Sequence, residues 1–452
     1  MIKIKQGLDL PITGRPEQII KAAAPPTSVA LLGIDYAGLK PHLEVQESDT
    51  VRKGQVLFSD KRFPSVIYTS PGTGTVTAIN RGERRALLSV VIELTDSDEQ
   101  VQFQSYSDAE IATLPRQTVI EQLLASGQWT ALRSRPFDKV ADPEIVPHSI
   151  FITAIDSNPL APAIAPILQG HEQDLLNGLR LLSTLTDGKL FLCKAPETHL
   201  PDIDLAKLVI EDFSGPHPAG NAGTHIHFLD PVSLDKTVCH VGLQDVIAIG
   251  KLFSSGNLYT DRVVALAGPS ALNPRLIKTR VGAGLEDLCA GELIDGEQRI
   301  ISGSVLSGHT ASGATAYLGR FHQQVSLLPE DRKRQFLGWL GPGLNRHSVK
   351  PVFLSRFLPD TRFDFTTAKN GEVRAILPSG NFEKIMPLDI MPLFLLRALA
   401  VEDIEEAEAL GCLELAEEDL ALCAYVCPSK LEFGPLLRKN LDLIEAQSRE
   451  ET

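Results

Sequence analysis

Most of the side-chain chemistry this chain offers comes from histidine, and the histidines cluster. Four of the eleven fall between His217 and His240, along Phe213-Ser-Gly-Pro-His217-Pro-Ala-Gly-Asn-Ala-Gly-Thr-His225-Ile-His227 and on to Cys239-His240. Imidazole and thiol are zinc ligands, and His-x-His on a strand sets two imidazoles on one face. No carboxylate stands at a ligand spacing, however, and no Cys-x-x-Cys is present. The reading is therefore histidines satisfied by loop backbone, with no metal. Gly215, Gly220 and Gly223 alternate with Pro216 and Pro218, which makes a rigid, tightly turning loop. An apolar run at 246–253 and a β-rich run at 262–267 follow. The loop thus lies inside an α/β core, where ligands commonly bind.

A second group is Cys423-Ala-Tyr-Val-Cys427-Pro428. It matches the second half of the ferredoxin run C-x2-C-x2-C-x3-C-P. The first two ligands fall at Glu417 and Leu420, and Cys412 is out of register. A four-iron cluster normally takes four thiolates, so Cys423 and Cys427 read as vestigial cluster positions in a helical fold that has lost its cluster.

Three further motifs are incomplete. The strand expected at 149–155 runs into Asp156-Ser157-Asn158-Pro159, not G-x-G-x-x-G, so the backbone cannot approach a pyrophosphate closely. Gly308 to Gly313 has P-loop glycine spacing, but Ala314 replaces the lysine. Lys61 sits near the position of a carrier domain's modified lysine; Asp60-Lys61 reads as a solvated turn, and Arg62 is unusual beside such a lysine.

The chain of 452 residues suits two to four domains. Its 43% hydrophobic and 22% charged residues are those of a globular protein, and the net charge of −14 argues against nucleic acid or anionic lipid. Six scattered cysteines suit a reducing compartment. The first residues lack a signal-peptide core. The most apolar window, 385–401, holds Pro387, Asp389, Pro392 and Arg397, so it is not a spanning helix.

These pieces predict a multidomain α/β protein. Residues 1–100 form an N-terminal β-barrel, lipoyl/biotinyl-like in its spacing of short strands and turns. Residues 101–257 form a Rossmann-like α/β domain without the dinucleotide fingerprint. It opens on a helix at 109–126 that Pro115 breaks, and an irregular loop at 130–140 with an exposed Phe137 follows. Strands at 149–155, 189–193 and near Leu208 then alternate with helices at 171–184 and near Leu205. Residues 258–345 form a β-grasp-like (SLBB-like) module. Residues 346–452 form a helical, degenerate ferredoxin-like domain, with helices at 398–410, 414–426 and 431–446.

Long motifs tie the whole chain to one family. They are Gly7-Leu-Asp-Leu-Pro-Ile, Ala154-Ile-Asp-Ser-Asn-Pro-Leu160, Gly215-Pro-His-Pro-Ala-Gly220, Gly223-Thr-His-Ile-His-Phe-Leu-Asp-Pro231, Gln244-Asp-Val-Ile-Ala-Ile-Gly-Lys-Leu-Phe253, Arg262-Val-Val-Ala-Leu-Ala-Gly-Pro269, Ile301-Ser-Gly-Ser-Val-Leu306, Gly411-Cys-Leu-Glu-Leu415 and Glu418-Asp-Leu-Ala-Leu-Cys423. The chain resembles the A subunits of Na+-translocating NADH:quinone oxidoreductases. It is also similar to the C subunits of Rnf complexes and the NADH-binding subunit of respiratory complex I, which keep cluster cysteines this chain lacks.

The resemblance implies a peripheral subunit on the cytoplasmic face of the bacterial inner membrane, with no redox cofactor of its own. It implies the membrane-embedded B subunit and the rest of a six-subunit complex as partners. FAD, FMN, riboflavin and iron–sulfur would reside in those partners, with ubiquinone as electron acceptor and no nucleic acid. A quinone needs an apolar slot with donors at its carbonyls, and residue type offers Tyr36, Arg133, Arg135 and Phe137 as candidates. The alternatives are a purely structural scaffold and an Rnf-like electron-transfer protein.

Overall fold

The computed structural model describes residues 1–332, 340–358 and 360–451. Alternating apolar residues between positions 28 and 94 build two antiparallel sheets around one core. One sheet orders Ser28–Leu32, Leu87–Leu94, Gly74–Arg81 and Thr50–Val51; the other orders Pro41–Leu43, Val56–Asp60 and Ile67–Thr69. Val29, Leu57, Val76, Val90 and Ile92 fill the space between them. The first strand stops at Leu32 and a 3-10 turn, Gly33–Asp35, delivers Tyr36 to this core. The Asp60–Arg62 turn is not solvated throughout. Asp60 is buried and holds Arg62 at 2.6 Å, and only Lys61 projects to solvent.

The second unit is a seven-stranded sheet. Its parallel core runs Leu208–Ser214, Leu190–Lys194, Ile150–Ala154, Val238–Gly242 in space, which is 3-2-1-4 in chain order. The expected helix at 109–126 is two helices, Asp108–Ile111 and Arg116–Ala125, parted at Pro115. Ser107 and Glu110 close a capping box on the first. Near Leu205 the chain makes a turn, not a helix, before entering Leu208–Ser214. Helices Glu172–Thr184 and Leu243–Ser255 cross at two glycines: a Cβ on Gly178 would collide with Val246, and one on Gly250 with Asp174. Ten residues of Leu243–Ser255 are buried, so it is a core helix covered on nearly every side.

A six-stranded mixed sheet orders His309–Thr310, Gln298–Ser302, Gln324–Pro329, Asp261–Ala267, Arg275–Arg280 and Glu17–Lys21. The residues before the barrel therefore serve two other sheets: Ile2–Lys3 lies parallel to Leu208–Ser214, and Glu17–Lys21 lies parallel to Arg275–Arg280.

The last unit is helical. Phe382–Ile385, Pro392–Val401, Ile404–Ala409, Ala421–Val426 and Phe433–Glu451 surround Leu395, Leu399, Cys423, Phe433, Leu437 and Leu441. The helix expected over 398–410 is broken. Glu402 takes φ 60°, and Asp403 caps the next helix by accepting from the Glu406 amide at 3.1 Å.

Candidate functional site

Where strand order reverses, the chains leaving two neighbouring parallel strands diverge and open a crevice at their carboxyl ends. Here those strands are Ile150–Ala154, which leads into the Asp156 turn, and Val238–Gly242, which leads directly into Leu243–Ser255. The crevice holds about 130 Å³ and is lined by Arg133, Asp156, His240, Asp245, Arg320, Phe321 and Glu418 among others. Three units converge on it. The α/β unit supplies Arg133, Asp156, His240 and Asp245, the turn before Gln324–Pro329 supplies Arg320 and Phe321, and the helical unit supplies Glu418.

Its charges are largely paired. Arg320 meets Asp245 Oδ1 at 2.8 Å, and Arg262 Nη2 bonds the same oxygen. Arg133 donates to Asp138 at 3.1 Å while its guanidinium lies 4.4 Å from the centre of the Phe321 ring. His240 Nε2 contacts the other Asp138 oxygen at 2.8 Å. Burial, reinforced by Arg133, pushes His240 down to about 4, so the ring is neutral and donates through Nε2. Burial likewise takes His322 down to about 3. It lifts Asp35, beneath Arg320, to about 7, although the Arg320 amide donates to Asp35 at 2.8 Å.

The turn does not fit a pyrophosphate. Asp156 Oδ1 accepts from the Asn158 amide at 2.8 Å and from its side chain at 2.9 Å, so a carboxylate stands where glycine amides would face a phosphate.

Of the four quinone candidates, only Arg133 lines the crevice. Tyr36 is buried behind it, its ring edge-on to Phe321 at 6.0 Å and to Tyr68 at 4.6 Å. The segment expected as an irregular loop is a hairpin of Arg133–Arg135 and Lys139–Val140, antiparallel to Val238–Gly242. Phe137 at its tip is not exposed: it is half-buried against the helical unit's core. Arg135 is 0% exposed. It donates to Asp138 at 3.2 Å, to the Glu414 carbonyl at 3.2 Å and to Asp419 at 3.4 Å. Asp419 also accepts from Ala416 N at 2.9 Å and Asn221 Nδ2 at 3.1 Å, and a Cβ on Gly223 would strike its carboxylate. A carboxylate of the helical unit thus sits at the amino end of Ala222–Leu229, which the helix dipole favours.

That helix also stands where the sequence reads a Gly/Pro-rich loop. Residues two apart on a helix point about 200° around the axis from one another. His225 turns inward, donates from Nε2 to the Ala219 carbonyl at 2.9 Å and packs on Phe213. His227 turns outward, donates from Nδ1 to Glu414 at 2.7 Å and accepts from the Asp389 amide at 3.1 Å. The pair cannot share an ion. Cys423 and Cys427 lie in the apolar core of the helical unit, and burial lifts the Cys423 thiol well above its ordinary range. Residue type and spacing alone do not single out Asp138, Asp245, Arg320, Glu418 and Asp419 as neighbours in one site. Asp138, an acid three residues beyond Arg135, is the one signal of this cluster that the sequence offers.

A barrel-sandwich, a 3-2-1-4 sheet whose first turn carries Asp156 and a closing helical unit define a multidomain α/β protein with a crevice of paired charges at its strand ends. Family models agree along the chain. Residues 2–95 match the NqrA N-terminal barrel-sandwich hybrid domain, 114–258 the NqrA second alpha/beta domain and 263–313 the NQRA C-terminal domain. The A subunit of the Na(+)-translocating NADH-quinone reductase of Histophilus somni strain 2336 is 54% identical over 99% of this chain and 100% of its own length. That of Pseudomonas aeruginosa PAO1 is 56% identical with the same coverage. The chain belongs to the NqrA family, the A subunits of Na(+)-translocating NADH-quinone reductases. Among solved structures, an air-oxidised NAD+-reducing NiFe-hydrogenase chain matches at TM-score 0.39 and 12% identity, over 78% of this chain and 72% of that one, too distantly to bear on function.

Proposed function

We propose that this chain serves the sodium-translocating NADH-quinone reductase as a peripheral component on the cytoplasmic face. It docks on the membrane-embedded B subunit and supports quinone reduction by holding that assembly, while electrons pass through FAD, FMN, riboflavin and iron–sulfur in the partners. Among the described residues no helix is long and apolar enough to cross a membrane, so the reading needs a docking face. One observation supports one: Met391, Phe394 and Val401 are 58%, 55% and 74% exposed. Their spacing of three and seven sets them in one stripe along Pro392–Val401. The test is Met391→Glu/Phe394→Glu/Val401→Glu. The expected outcome is an isolated chain with unchanged melting temperature that no longer co-purifies with the B subunit; stoichiometric co-purification would overturn the docking face.

The same reading takes the barrel as lipoyl-like, the six-stranded sheet as β-grasp (SLBB-like) and the helical unit as a ferredoxin-like fold without its cluster. Glu417 and Leu420 at the first two ligand positions support the last. Iron and flavin analysis of the chain, purified without air, is expected to find neither. One cluster or flavin per chain would favour the Rnf-like alternative.

A quinone contact in the crevice is the second reading, favoured by Arg133, the candidate that stands over an aromatic wall. If it holds, Arg133→Gln in the assembled complex raises the KM for ubiquinone about tenfold, the loss of one charged hydrogen bond. An unchanged KM leaves the scaffold role alone.

A further inference from the structure

Residues 340–358 carry Arg346, Lys350 and Arg356 and no aspartate or glutamate, in a chain whose net charge is −14. The same stretch holds its large apolar side chains outward. Val352 is 69% exposed and Phe357 64%, and Leu340, Leu344, Leu354 and Leu358 are exposed as well. Single exposed apolar residues are ordinary on a folded surface, whereas a cluster of them marks a contact. Here Val352, Leu354, Phe357 and Leu358 follow one another along a short loop.

Local structure builds this display. The loop closes on itself: the Leu354 amide donates to the Pro342 carbonyl at 2.9 Å, and Ser355 Oγ donates to the Arg346 carbonyl at 2.5 Å. Gly343, at φ 67°, lies so close to Phe353 that a Cβ would strike its ring. His347 packs among Phe363, Phe365 and Tyr425, with ring centres 5.8, 5.6 and 6.5 Å away. Phe353 and His347 therefore anchor the loop. Leu354–Phe357 is a 3-10 turn, in which residues three apart eclipse, so Leu354 and Phe357 share one face. Arg356 stands over the Phe357 ring at 4.5 Å and donates to the Pro351 carbonyl at 3.2 Å. Among the described residues no carboxylate pairs with it or with Lys350.

An irregular turn has no open strand edge on which to align a peptide. An apolar tip beside unpaired cations instead matches the boundary of an anionic bilayer, where acyl chains receive the tip and phosphates the cations. The chain's net charge opposes such a surface at long range, but a Debye length of about 8 Å at physiological salt screens the remote acids. Membership of a sodium-translocating reductase puts a membrane within reach.

We propose that the 340–358 loop rests on the anionic lipid surface, with Leu354, Phe357 and Leu358 entering the boundary between headgroups and acyl chains and Lys350 and Arg356 on lipid phosphates. This attachment is separate from docking through Pro392–Val401.

Vesicle flotation of the whole chain tests it. No partner subunit takes part, so failure of the docking face is read separately. Apparent affinity for phosphatidylglycerol–phosphatidylethanolamine vesicles is expected to exceed that for phosphatidylcholine vesicles at least about tenfold, and high salt should release the chain. Phe357→Ser/Leu358→Ser and Lys350→Glu/Arg356→Glu should each lower that affinity at least about tenfold with the melting temperature unchanged. No flotation with the anionic vesicles overturns the proposal, as does flotation that either pair of substitutions leaves intact. Loss of another subunit from the detergent-purified complex carrying Lys350→Glu/Arg356→Glu also overturns it, because that marks an acidic protein partner.

Discussion

Arg135 ties two units together through a single side chain. Fully buried, it joins a hairpin of the α/β unit to Asp419 and the Glu414 carbonyl of the helical unit. Removing one partner of a buried ion pair leaves the other charge uncompensated, at about 3–5 kcal/mol. Arg135→Ala is therefore expected to lower stability by that amount in urea unfolding, with Arg135→Met/Asp419→Asn recovering part of it. Histidine sets the acid limit. His217, His225 and His240 are pushed down to about 4 and His322 to about 3, all by burial. Between those values and the ordinary histidine value near 6.5 the unfolded chain binds protons that the folded chain refuses. Their contribution is intact above about pH 6.5 and is lost as pH falls toward 4. His225→Phe, which keeps a ring against Phe213, should reduce that loss by on the order of 3 kcal/mol in denaturant titrations at pH 4 and 7.

At the scale of elements, the closest contact in the α/β unit is the crossing of Glu172–Thr184 with Leu243–Ser255 at Gly178 and Gly250. Gly250→Ala gains helix propensity of about 1 kcal/mol, yet its Cβ meets the Asp174 backbone, and overpacking costs about 1–3 kcal/mol or more. A net loss of stability is expected by thermal melting, and a gain would show that the crossing relaxes. Elements of this unit differed in how visible they were beforehand. The strands Ile150–Ala154 and Leu190–Lys194 are apolar runs bounded by turns, so their burial is written in composition. Arg133–Arg135 has no such run. It is a charged strand held between Val238–Gly242 and Lys139–Val140, and Arg135 finds its helical-unit partners 279 and 284 residues further along the chain. His225-Ile226-His227 reads as loop because of the glycines and prolines around it, whereas the stretch is a helix whose inward and outward faces each take one histidine. Half of the crevice was hidden for the same reason as Arg135. Arg320 and Glu418 reach it only through contacts between units.

Across the whole molecule the units are pinned together by long-range charge pairs. Lys139, 7% exposed, reaches Asp442 at 2.7 Å and Glu445 at 2.6 Å on the last helix, and Arg438 donates to the Phe137 carbonyl at 2.7 Å. Truncation after Leu410 would strip Arg135 and Lys139 of these partners, so a truncated chain would report on folding as much as on docking. Surface substitution along Pro392–Val401 tests the proposed docking without removing these partners. The same interlocking bears on synthesis. Ile2–Lys3 and Glu17–Lys21 emerge first, yet their sheet partners are Leu208–Ser214 and Arg275–Arg280. At roughly 5–20 residues per second, those partners leave the ribosome tens of seconds later. The leading segment must wait, unpaired, while the barrel that lies between these two strands and their partners in the chain folds and closes. An apolar strand held open for that interval is a target for chaperones. The production of this protein is therefore expected to depend on trigger-type ribosome-bound holdases more than its final stability would suggest.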